Sequence, residues 1–272
     1  MVNIGRSPHP ISCIDRLNTS ALGGHNVRVA ETEAGGTPTD DDALLSLCRA
    51  IAYRDLFELE RLLDSSPHLA TRPIQIGASR DDPDRYFLVA IRHHLYRGDT
   101  GLHVAAAAHQ REAAEALLAR GGAVRARNRR GAEPLHYASD GSPGSGWWDP
   151  DAQRETVVCL IQHGAEPNSL DMSGVAPLHR AVRTRSSEAV LALIENGADP
   201  LLKNRSGSTP LHLAVQNTGR SDSGSEAAKA EQALVIAVLL EHGARPTDID
   251  AKGKTVADAA SSDWIRDFLD RP

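Results

Sequence analysis

GSTPLHLAV, residues 207–215, is the most regular copy of a phrase that recurs along the chain. The earlier copies are GDTGLHVAA at 98–106, GAEPLHYAS at 131–139 and GVAPLHRAV at 174–182, and a further opening, GKTVADAA, begins at Gly253. Successive opening glycines lie 33, 43, 33 and 46 residues apart. A recurring period of this size marks supersecondary units that cannot bury their apolar faces alone and must stack on their neighbours.

A second anchor closes each unit: ALLARGGAV, CLIQHGAEP, ALIENGADP and VLLEHGARP. Leu102 to Leu117 and Leu178 to Leu193 both span 15 residues, whereas Leu135 to Leu160 spans 25 and Leu211 to Leu239 spans 28. The extra residues therefore fall between the first and second helix of two units. Thr209 and Pro210 read as a helix cap and a first helical position. Gly197 and Gly243 stand where a second helix ends in a left-handed residue. Leu178, Leu193 and Leu240 are expected in the core.

A 33-residue unit with G-x-T-P-L-H-x-A and a terminal L-L-x-x-G-A-D resembles the ankyrin-repeat family, most clearly over 98–260. Asp199 matches the usual acid after Gly-Ala, while Arg125, Glu166 and Arg245 stand near that point elsewhere. The resemblance implies an all-α fold, a solenoid of helix-turn-helix repeats with β-hairpin-like finger loops. It also implies that His103, His136, His179 and His212 bond the backbone of neighbouring turns. One His per repeat is too widely spaced to share a tetrahedral ion. No cofactor or metal is expected.

The expected organisation is an arm at 1–40, disordered or loosely docked, followed by a repeat domain at 41–272. Within it, 41–70 is a divergent N-terminal capping repeat, with Leu47 and Leu62 again 15 apart. Residues 71–97 form an irregular connection. The turn DDPD (81–84) precedes RYFLVAIRHHLYRG, whose Leu88, Ile91 and Leu95 favour a short extra helix over a strand of an enlarged hairpin. The repeats are 98–130, 131–173, 174–206 and 207–252. Residues 253–272 close the stack, with Trp264, Ile265, Phe268 and Leu269 at helical spacing.

Aromatic residues make up 4% of the 272, so the core must be built from Ala, Leu, Val and Ile. The net charge of −6 argues against a general nucleic-acid binder. Cys13, Cys48 and Cys159 have no metal-ligand spacing, and Cys48 and Cys159 lie in apolar helical patterns. No apolar run reaches a membrane span. A cytoplasmic location and a monomeric state are expected. GKT at 253–255 has Asp248 where a phosphate-binding loop needs glycine, so it is a repeat opening. No H-E-x-x-H or G-x-S-x-G stands in the chain, and an enzyme is not expected.

The resemblance implies a concave face of fingers and first helices that binds a protein partner. Carried onto this chain, it makes Tyr137, Arg180, Arg183 and Gln216 outward positions of the first helices. Arg127, Arg129, Arg130, Asp171, Lys203 and Arg205 are finger positions. The arginines form a basic stripe, read either as solvated charge or as a docking surface for an acidic protein. A self-assembling scaffold and a polyanionic ligand along the stripe are the alternatives. Trp147 and Trp148 lie in the first insertion, GSPGSGWWDPDAQ (141–153), before a helix capped by Asp149. They read as a lid packed between the two insertions, with one ring packed and the other exposed, or as an anchor for a partner. In the second insertion, Ser223 and Glu226 have capping-box spacing, ahead of a second helix lengthened by one to two turns.

Overall fold

A computed structural model describes residues 40–79, 84–217 and 224–270. The chain is mostly helical there. Helices come in pairs: α1 (Asp40–Ala52) with α2 (Leu56–Ser65), α3 (Gly101–Ala107) with α4 (Arg111–Ala119), and α5 (Pro134–Ala138) with α6 (Pro150–Gln162). They continue as α7 (Pro177–Thr184) with α8 (Ser187–Glu195), α9 (Pro210–Ala214) with α10 (Glu226–Glu241), and α11 (Val256–Ala259) followed by α12 (Asp263–Leu269). Each first helix packs on the next first helix, from α1 through α11, and each second helix packs on the next second helix, from α2 through α10. One continuous apolar cluster runs from Leu44 to Ile265 and is built largely of Leu, Ala, Val and Ile. No helix among the described residues is long and apolar enough to cross a membrane.

The short first helices exist because their ends are held. Pro occupies the first helical turn of α5, α7 and α9. The His at the third helical position accepts from the cap amide through Nδ1: Thr100 to His103 at 3.1 Å, Glu133 to His136 at 3.1 Å, Ala176 to His179 at 3.2 Å and Thr209 to His212 at 3.2 Å. The opposite ring nitrogen reaches the carbonyl of the next repeat opening, from His103 to Ala132 at 3.1 Å, His136 to Val175 at 3.1 Å and His212 to Lys254 at 3.2 Å. Only the neutral Nε2–H tautomer serves both bonds. His179 Nε2 lies buried without closing the equivalent bond.

In the short units a left-handed residue, Arg54, His109 or Arg185, turns the chain from first to second helix. The amide after it, of Asp55, Gln110 or Ser186, bonds back to Ala50, Ala105 or Ala181 at 2.9–3.0 Å. Gly197 ends α8 at φ 96° as expected. Gly207 has φ 73°, and a Cβ there would lie 2.4 Å from the Ala251 amide, so only glycine lets these turns approach.

The structure corrects several expectations. Residues 84–97 form no α-helix, only the 3₁₀ turns Asp84–Tyr86 and Val89–Ile91. The first leads into β1 (Phe87–Leu88), which pairs antiparallel with β2 (His93–His94). Below it, the Ile74 amide bonds Asp99 O at 2.7 Å and the Ala78 amide bonds Leu95 O at 2.7 Å, so 73–78 and 95–100 run as the legs of an enlarged hairpin. The extended 73–78 segment satisfies backbone groups that a helix would have satisfied internally. Arg92, left-handed at φ 50°, completes the bend.

In α10 the fully buried leucine is Leu239, and Leu240 is half-buried. In α2 burial falls on Leu59 and Leu63 rather than Leu62. α10 has 16 residues against 9 in α8, two turns more, but its cap is Ser225, which accepts from the Ala228 amide at 3.2 Å. Ser223, residues 1–39 and Asp81 to Pro83 lie outside the described residues. Cys48 and Cys159 are buried and free, and burial pushes the Cys48 thiol up to about 12.

Candidate functional site

The turns between repeats share one backbone design. Asn128, Asp171, Asn204 and Asp250 occupy equivalent positions, three residues before Gly131, Gly174, Gly207 and Gly253. Each side-chain oxygen accepts from the amides two and four residues on, at 2.8–3.1 Å. Successive turns are also joined: the Arg129 amide bonds Arg97 O at 2.8 Å, Met172 bonds Arg130 O at 2.9 Å and Ala251 bonds Ser206 O at 3.3 Å. Equivalent side chains are thereby set in rows. One row runs Tyr96, Arg129, Met172, Arg205 and Ala251. A second runs Arg130, Ser173, Ser206 and Lys252.

The predicted contact residues fall into two groups. Some are engaged within the fold. Arg127 bonds Glu133 Oε1, Ser169 Oγ and Leu170 O, each at 3.1 Å, and Arg125 stands 3.6 Å from the same carboxylate. Glu133 is buried at the position where the motif has Thr, so the basic run 125–130 has its counter-ion just beyond it. Asp171 spends its Oδ1 on the turn. Lys203 Nζ bonds Ile249 O at 2.9 Å, and Arg205 bonds Met172 O.

Tyr137 is not an outward position. It is 5% exposed, and its hydroxyl accepts from Asn128 Nδ2 at 2.9 Å. Asn128 Nδ2 also donates to the buried Asp99 at 2.8 Å. The Tyr137 ring meets His93 edge-on at 4.9 Å and His103 at 5.4 Å. Burial pushes its hydroxyl pKa up. Arg180 is not a free outward cation either. Its guanidinium lies 5.1 Å above the Tyr137 ring and grips Asp140 with two nitrogens, Nε to Oδ1 at 3.0 Å. Burial opposes that charge and Asp140 outweighs the effect, so the Arg180 pKa is raised.

The other group remains available. Arg129 and Arg130 stack over Tyr96, at 4.9 and 5.1 Å. Arg183 is exposed. None of these three has a carboxylate within 4.0 Å among the described residues. The Gln216 side chain is exposed and its carbonyl accepts from Gln232. His93, Tyr96, Asp99 and Asn128 were not singled out as site residues. Tyr96 was findable, since it stands two residues before Gly98 as Arg129 stands before Gly131.

The tryptophans part company. Trp148 is half-buried and donates Nε1–H to Gln153 Oε1 at 2.8 Å, while Trp147 is 51% exposed. The lid expected between the two insertions involves residues 219–223, which lie outside the described residues. Trp147 lies beside Ile91, Ala107 and His109, toward the preceding repeat. The short turn itself bridges the insertion bases: Thr184 Oγ1 accepts from Gly141, Ser186 Oγ donates to Gln153, and Arg185 bonds Asn217 O and Gln232. No group of three His, Cys, Asp or Glu side chains among the described residues could hold a metal ion.

Among known proteins, no curated relative matches the sequence. A family model described as ankyrin repeats (many copies) matches residues 160–214, from the end of α6 through α9. Repeats of this family are generally non-catalytic and generally serve as protein–protein interaction modules. Residues 160–214 are thus matched as ankyrin repeats, and α3 and α5 ahead of them carry the same capping geometry as the matched α7 and α9.

Proposed function

We propose that the chain is a non-catalytic binding module, an α-solenoid whose finger loops and first helices present a concave face to a protein partner. Repeats 98–130, 131–173, 174–206 and 207–252 form the face, with 41–70 and 253–272 as caps. The observation that carries this reading is the turn-to-turn bonding, which sets equivalent side chains in rows while leaving Arg129, Arg130 and Arg183 without a counter-ion among the described residues. Arginine without an intramolecular partner on a row of equivalent positions favours an acidic protein surface. The enlarged hairpin adds His93 and Tyr96 to the same face.

The test is a quantitative pull-down from native lysate with wild type, Arg129→Glu/Arg183→Glu and Trp147→Ser, each checked for unchanged circular dichroism. Arg127 and Arg180 are unsuitable for charge reversal because both hold the fold together. A saturable partner lost with the arginine pair and kept with Trp147→Ser supports the concave face. Loss with Trp147→Ser alone moves the site to the insertion edge. Absence of any saturable partner removes the reading's support.

A further inference from the structure

We propose that the pocket between the Tyr96 turn and helices α5 and α7 takes an oxyanion, a carboxylate or phosphate carried on a side chain of the partner; this rests on the concave-face reading above. The pocket has a volume of about 300 Å³. That is the low end for ligand sites, suited to one side chain rather than a whole cofactor. Tyr96 and Tyr137 line it, and Arg130, Arg180 and Arg183 converge on it.

The three arginines are differently prepared. Arg180 is fixed in advance by Asp140 and the Tyr137 ring, so holding it costs a ligand little conformational entropy. Asp140 takes its Nε and Nη2, and Nη1 has no hydrogen-bond partner among the described residues. Arg130 is steadied by the Tyr96 ring beneath it. Arg183, one turn beyond Arg180 and exposed, has no counter-ion among the described residues. Asp171 is the one acid among the described lining residues, and two backbone amides already hold its Oδ1. The lining therefore carries a surplus of positive charge in a fixed, aromatic-walled setting, the arrangement in which arginine forks recognise oxyanions.

Asp171 also supplies a clean variant. Asn128 and Asn204 occupy the equivalent positions and make the same two bonds at 2.9–3.1 Å. Asp171→Asn thus removes the opposing charge and keeps the turn.

The experiment titrates end-blocked Gly/Ala peptides carrying one central Glu, phosphoserine or Gln into the full-length isotope-labelled protein. The readouts are the Ser173 and Val175 amides and the arginine side-chain resonances. The expected result is a saturable shift with Glu or phosphoserine and none with Gln. The relative affinity of the two anionic peptides tells carboxylate from phosphate. Arg183→Gln should weaken binding roughly tenfold, and Asp171→Asn should tighten it by about two- to fivefold. Equal binding of the Gln peptide, or weaker anion binding by Asp171→Asn, overturns the proposal. Anionic peptides that shift only Arg205 and Lys203 sink this pocket and leave the concave face standing. No shift with any peptide also sinks the pocket, and the pull-down then judges the face separately.

Discussion

Replacing Gln153 by alanine is expected to destabilise the chain by about 2–5 kcal/mol, although the residue is neither part of the proposed face nor one of the motif leucines. Gln153 is fully buried at the start of α6. Its Nε2 donates to Ala138 O, at the end of α5, at 2.9 Å. Its Oε1 accepts from Ser186 Oγ, in the next unit, and from the Trp148 indole, both at 2.8 Å. Alanine strands the Ala138 carbonyl and the Ser186 hydroxyl, both fully buried, at roughly 1–3 kcal/mol each. The half-exposed indole can turn to water and adds little. Urea unfolding followed by far-UV circular dichroism measures the loss, and tryptophan emission should shift red in the folded baseline as Trp148 comes free. A loss below about 1 kcal/mol, with an unchanged denaturant slope, would refute the argument that this one amide ties two repeats and an insertion together.

Further outcomes follow from the same packing. Leu178→Ala should cost about 2–5 kcal/mol, and Leu240→Ala distinctly less because Leu240 is only half-buried; the pair is read by chemical unfolding. Gly207→Ala should destabilise by more than about 1 kcal/mol, since a Cβ at φ 73° meets the Ala251 backbone, whereas Ala at Gly146 has open space around it. Burial, aided by Arg180, holds His136 at about 4, and burial holds His109 at about 4. Both stay neutral in the fold while the unfolded chain protonates near 6.5. Their contribution is complete above about pH 6.5 and is lost as pH falls toward about 4, at roughly 1.4 kcal/mol per pH unit for each. Thermal melts across that window check the slope. His136→Gln, tested in the same melts, should shed its share of the pH dependence.

The repeat was legible because its leucines answer to a fixed distance. Leu102 and Leu117, or Leu178 and Leu193, must meet across a helix pair of constant length, and all four are buried. The insertions were legible as departures from that distance. Gln153 was equally legible and went unread. Gln110, Gln153, Ser186 and Gln232 each stand seven residues before the buried leucine of the second helix, and all four are buried. A polar residue at a helix start reads as surface, and only a comparison between repeats marks it as a strut. The hairpin at 84–97 was not legible. Leu88, Ile91 and Leu95 fit a helical period, and the partner segment 73–78 that draws them into extended structure lies outside any repeat.

The same hairpin explains why the outward positions were misplaced, and it bears on what a partner would meet. In a bare repeat, the side chain after the motif His faces open space. Here His93 packs against the Tyr137 ring, and Asp140, at the base of the first insertion, captures Arg180. Two irregular segments, neither part of the 33-residue period, thus convert two generic surface positions into the walls of a pocket. Arg127, Lys203 and Arg205 meanwhile spend hydrogen bonds on neighbouring turns. The basic stripe visible in the sequence is therefore two things in space. One part staples successive turns, and its loss should show as lowered stability. The other, Arg129, Arg130 and Arg183 around the Tyr96 turn, pairs with no carboxylate among the described residues. Charge reversal at Arg183 should leave the unfolding free energy within about 0.5 kcal/mol of wild type while reversal at Arg127 lowers it by more. If the two behave alike in stability and in partner binding, the division fails, and the stripe is ordinary solvated charge.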